Sequence, residues 1–167
     1  MRLKTFVNRR QRNTYNAIRL AALSASESEA DRIACAILAC NYSRTHGDSK
    51  TGQALIQMDC VAVCFVDGDI WVASNSRKLE PEDIDEAIGA DYCGWNIYIV
   101  TNGNGCMHAE MQLIEELREA YLLDKVTYIG VSKLCCKYCK QVLNRYHIDY
   151  LHYHTDAVQH WEDPEVG

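Results

Sequence analysis

No run of apolar residues in this chain is long enough to span a bilayer, which argues against a membrane partner. An apolar h-region followed by a small-residue cleavage site is also missing, so the sequence predicts no secretory signal. There are no internal repeats and no low-complexity tract. Acids are absent from Met1 to Ser26, a stretch that carries Arg2, Lys4, Arg9, Arg10, Arg12 and Arg19. Such a basic arm can touch phosphates, and its composition is also that of an organelle transit peptide or of a solvated, partly helical tail. The net charge is nonetheless −6, so the remainder is acidic. Broad nucleic-acid affinity is disfavoured, because a generic binder usually presents a basic face.

With 167 residues the chain suits one domain that buries its own core. Its 48% apolar and 24% charged residues are ordinary for a globular protein. We divide it into a basic N-terminal arm or helical extension, 1–28, and a domain, 29–167. Nine cysteines are an odd number, and their spacing suggests no disulfide framework. Cys35, Cys40, Cys60 and Cys64 lie in apolar runs, where a thiol behaves as a small hydrophobe. A reducing, cytoplasmic compartment is expected, with some thiols kept for metal.

The segment ESEADRIACAILACNY places Ile33, Ala34, Ile37, Leu38 and Ala39 near helical spacing. SRTHGDSKTG has loop composition. In MDCVAVCFVDGDIWVASN two strand-forming runs flank Asp67-Gly68, a hairpin signal. PEDIDEAIGA starts with proline and acids, as short helices do. WNIYIVTNGNG predicts an extended segment before a glycine loop. CMHAEMQLIEELREAYLL repeats Met107, Met111, Ile114, Leu117 and Tyr121 at three and four. KVTYIGVS reads as a buried strand, CCKYCKQVLNRY as a helix and HIDYLHYHT as a strand. The order of elements predicts an α/β fold with helices packed on a sheet.

Two of these helices open with metal-ligand residues. His108 begins one; Cys136 and Cys139 begin the other, where a helix N-terminus favours thiolate. One imidazole and two thiolates neutralise Zn²⁺ and leave a fourth tetrahedral position open, which is a catalytic rather than a structural arrangement. Water at that position has its pKa lowered from 15.7 to about 7. Glu110 is too near His108 in sequence to be the first choice of ligand. Beside the water it can carry the proton, work typically worth about 10² to 10⁴ in rate.

His108-Ala109-Glu110 followed by Cys136-x-x-Cys139 resembles the zinc-dependent cytidine-deaminase-like superfamily, whose signature is H-x-E and P-C-x-x-C. The wording HAEMQLIEEL…IGVSKLCCKYC is most similar to its microbial toxin and effector branch, which edits nucleic acids. The resemblance implies a three-layer fold, a mixed β-sheet with helices on both faces. It also implies that Asn75 contacts sugar or base, that Ser132 lines the pocket, and that the Ala109 amide holds the base carbonyl. The usual proline is Cys135 here, which register makes a wall residue rather than a ligand.

Other candidates have plainer roles. His152 and His154 alternate with Tyr150 as exposed strand polars or channel residues, and His147 ends a helix. Trp71 and Trp95 are expected in the core, and the role of Cys106 is open. The expected activity is hydrolytic deamination of a nucleobase, cytosine to uracil, in single-stranded DNA or RNA. A free nucleoside or nucleotide deaminase, an adenine-directed enzyme and a non-catalytic zinc scaffold are the alternatives. A scaffold needs the three ligands but not Glu110.

Overall fold

The computed structural model describes residues 5–7, 29–46, 60–75, 78–92, 94–100, 107–155, 158, 161 and 163–164. The elements are β1 (Thr5–Val7), α1 (Glu29–His46), β2 (Val61–Val66), β3 (Asp69–Ser74), α2 (Pro81–Ile88), β4 (Asn96–Val100), α3 (Ala109–Glu119), β5 (Gly130–Val131), α4 (Lys137–Arg145) and β6 (His152–His154). Four strands form a mixed sheet in the order β4-β3-β2-β5, with β3–β4 parallel and β2 antiparallel to both its neighbours. β1 pairs in parallel with β6, and single bridges join Tyr128 to Asp149 and Cys135 to Tyr153. None of the described helices is long and apolar enough to cross a membrane.

The hairpin turns at Asp67-Gly68, both with positive φ (48° and 83°), the geometry that continues the right-handed strand twist. Along β2 and β3 the side chains alternate between two cores, as period-2 patterning requires. Val61, Val63, Ile70 and Val72 pack with Ile33, Ile37 and Leu38 of α1 and Ile84 and Ile88 of α2. Ala62, Cys64, Trp71 and Ala73 pack with Met111, Ile114 and Leu117 of α3 and Val142 and Leu143 of α4. Helices therefore cover both faces, the three-layer α/β arrangement expected.

The seat of α1 is set by one close approach. A Cβ on Gly130 would lie 2.2 Å from the Ala30 carbonyl carbon and 2.4 Å from the Asp31 nitrogen. Only glycine lets helix backbone and strand backbone meet there. The fully buried Asp31 closes the contact, accepting from the Val131 amide at 2.9 Å and from the Tyr128 hydroxyl.

Several expectations are corrected. Ser43 to His46 continue α1 rather than starting a loop, while 47–59 lie outside the described residues. α3 ends at Glu119, so Tyr121 is not on its apolar stripe. Tyr121 sits in the left-handed region (φ 58°) and is 90% exposed. The Leu122 amide reaches back to the Leu117 carbonyl at 2.8 Å, a Schellman closure built without glycine. Tyr150 is fully buried, with its hydroxyl on Asn144 Oδ1, so it does not share a solvent-facing edge. Trp95 is exposed, edge-on to Phe65 and Tyr92, whereas Trp71 is in the core as expected. His147 is exposed just after the end of α4, as read from sequence. Apart from Thr5–Val7 the basic arm lies outside the described residues, as do Cys106 and the side chains of His152 and His154.

Candidate active site

α3 and α4 begin in the same way. His108 is the N-cap of α3 and Cys136 the N-cap of α4, both with extended backbone. Cap residues stand at the lip of a helix, where side chains project past the first turn and amides lack intrahelical acceptors. Cys139, one turn into α4, donates its amide to Cys136 Sγ at 3.3 Å, so the two sulfurs lie on one side. His108 Nδ1 lies 3.5 Å from Cys136 Sγ and 3.4 Å from Cys139 Sγ. The three donor atoms lie within 4.8 Å of one another and form a potential metal-binding group. Cys135 is buried and stands outside it.

The donor chemistry fits a zinc ion. The Cys139 bond pulls the Cys136 thiol down to about 4, against burial, with help from His108. Burial pushes Cys139 well up, so without a cation the pair holds one proton between two sulfurs. A divalent cation is the charge that lets both become thiolates, and N/S donors are those zinc prefers. All seven described cysteines are free of disulfides.

Glu110, in the first turn of α3, is 3% exposed. Its oxygens lie 3.6 Å from Cys139 Sγ and 3.9 Å from Cys60 Sγ. Burial pushes this carboxyl above its usual range, with His108 opposing and Cys136 adding to the effect. A carboxyl raised in this way can hold or release a proton nearer neutral pH.

Ala109 is fully buried at the first position of α3. Asn75 is half-buried where β3 ends, and its Oδ1 accepts from the Cys60 amide at 2.9 Å. Asn75 therefore holds the residue whose sulfur touches Glu110. The Ser132 hydroxyl is buried and accepts from the Val61 amide at 2.8 Å, extending the β5–β2 pairing.

Sequence reasoning missed three participants. Cys60 was read as a small hydrophobe, yet it also faces the acid. Gln112 donates to the Ser74 and Met107 carbonyls at 2.9 and 3.0 Å, tying the first turn of α3 to the end of β3. Trp161 donates its indole N–H to Cys139 Sγ at 3.4 Å. All three act across long sequence separations, which periodicity and motif spacing do not register.

An imidazole and two sulfurs with a buried acid, carried at two helix mouths on one side of a mixed sheet, are similar to the site of the cytidine-deaminase-like superfamily and consistent with zinc binding. The profile of a family described as OTT_1508-like deaminase matches residues 107–165. That match begins one residue before His108 and takes in α3, β5, α4, β6 and Trp161, and it supports a deaminase activity. No curated protein and no solved structure matches the chain.

Proposed function

We propose that this protein is a zinc-dependent hydrolytic deaminase of cytosine in single-stranded nucleic acid. The observation that carries the reading is Glu110, buried against the sulfur of a residue in the His108, Cys136 and Cys139 group. A structural metal site has no use for that acid.

Zinc, when bound, supplies a Lewis acid that makes water a nucleophile near neutral pH. His108, Cys136 and Cys139 hold it. Glu110 takes a proton from the attacking water, delivers it to the ring nitrogen and then serves the departing amine. Water adds at C4, the C4–N bond breaks, and cytosine and water become uracil and ammonia. In this reading the Ala109 amide holds the base carbonyl, and Asn75 and Ser132 orient sugar and base.

A polynucleotide substrate is supported by the face around α4. Lys137 lies over the Tyr138 ring at 5.2 Å and Lys140 over the Tyr153 ring at 4.0 Å. Lysines interleaved with aromatics beside the donors suit phosphates and unstacked bases. The target base must be single-stranded or flipped out. Reduced thiols at the site suit a reducing compartment such as the cytoplasm.

The test is to incubate the protein and its Glu110→Ala variant with single-stranded DNA, RNA, cytidine, cytidine nucleotides and adenosine, reading base conversion by mass. Conversion of cytosine in a polynucleotide by the parent alone is expected. Turnover of free cytidine only sinks the polynucleotide assignment, and turnover of adenosine moves the attack to C6. Bound metal with no conversion in either protein leaves a scaffold.

A further inference from the structure

Trp161 and Pro164 lie against the two helices that carry the donors. Arg118, near the end of α3, donates to the Pro164 carbonyl. Three residues earlier Trp161, half-buried, tilts over Tyr138 of α4 with ring centroids 5.3 Å apart. Its indole N–H points at Cys139 Sγ, 3.4 Å away. An indole N–H is a donor only, and this one faces a sulfur. A donor bond to a thiolate is charge-assisted and stronger than one to a neutral thiol.

Cys139 needs such a donor. It is fully buried, beside the Glu110 carboxyl at 3.6 Å and the Cys136 sulfur that shares its helix turn. Bound to a divalent ion, this sulfur would still carry part of its thiolate charge. A fixed N–H draws part of that charge away and holds the sulfur lone pairs lower in energy. Outer partners of metal ligands act in this manner.

We propose that Trp161 is a positioning residue that sets the donor strength of the Cys139 sulfur and tightens metal binding, acting through its indole N–H rather than its bulk. The proposal rests on the zinc reading of the His108, Cys136 and Cys139 group.

The test loads the full chain with Co²⁺ and reads the sulfur-to-cobalt charge-transfer band, together with Zn²⁺ affinity measured by chelator competition. Trp161→Phe keeps a ring on Tyr138 and removes only the donor; Trp161→Ala removes both. Without the N–H the sulfur electrons are easier to move, so the band shifts to lower energy by the same amount in both variants. Zn²⁺ affinity falls about tenfold in both. A phenylalanine variant with the parental band and affinity overturns the proposal, because packing alone would then account for Trp161. Absence of any cobalt–sulfur band in the parent overturns the metal reading itself, and this proposal with it.

Discussion

Replacing Gly130 by alanine puts a single methyl where β5 and α1 touch. Its carbon would lie 2.2 Å from the Ala30 carbonyl carbon, 2.4 Å from the Asp31 nitrogen and 2.6 Å from the Ala30 Cβ. None of these is the flexible tip of a side chain, so α1 must back away by about 1 Å to restore ordinary packing. That movement stretches the 2.9 Å bond from the Val131 amide to Asp31 beyond hydrogen-bonding range. Overpacking costs about 1 to 3 kcal/mol, and a lost bond to a buried charged group about 1.5 to 3. Together the loss is about 2.5 to 6 kcal/mol, a large share of the about 5 to 15 that holds such a domain together. At about 2 to 4 °C per kcal/mol, the melting temperature drops by about 5 to 24 °C. Five residues after β5 the chain reaches Cys136, so metal affinity weakens in the same variant. Thermal unfolding with and without zinc measures both effects. A variant melting within about 2 °C of the parent would refute the close approach of α1 to β5.

Glu110→Gln lowers the rate of base conversion by about 10² to 10⁴, or about 2.7 to 5.4 kcal/mol of barrier. Metal content stays unchanged in that variant because its oxygens are not among the three donor atoms; loss of metal would sink the role assigned. Asp83 tests the pH dependence of stability. Burial pushes its carboxyl up, but bonds from Arg44, Asn41 and the Glu80 amide outweigh this and hold it below its ordinary value. Its stabilisation is therefore present above the unfolded value of about 4 and is lost as pH falls through the lower folded value. Asp83→Asn costs about 1 to 2 kcal/mol at pH 7, a figure reduced because Arg44 is one-third exposed. The difference from the parent narrows on acidification, and urea midpoints at neutral and acid pH decide the matter. Tyr121→Gly relieves a left-handed, exposed residue and raises stability by about 0.5 to 1 kcal/mol in urea unfolding. A loss there would contradict the Schellman closure.

Much of the fold was legible because its signals are local. Asp67-Gly68 announces its own turn type, and the α2 start follows from Pro81 with Glu82 and Asp83 behind it. The site was legible for the same reason, since each donor is a helix cap or follows one within a turn. What stayed hidden is what distant residues do to one another. Asp31 reads as a helix-start acid, and nothing nearby says that it will accept from Val131, 100 positions on. Cys60 looks like core filler until β2 is laid beside α3. Tyr121 keeps the spacing of an apolar stripe, yet the helix has ended before it, because periodicity continues past a terminus that only backbone geometry sets.

The caps of α3 and α4 supply donors separated by 28 positions along the chain. An ion seated there is a cross-link that exists only in the folded molecule, so occupancy and folding share one equilibrium. At a free zinc level of 100 times Kd the linkage adds about 2.7 kcal/mol to the native state. On the zinc reading, the temperature at which the protein unfolds would thus gauge its zinc supply, and a chelator would act on it as a mild denaturant.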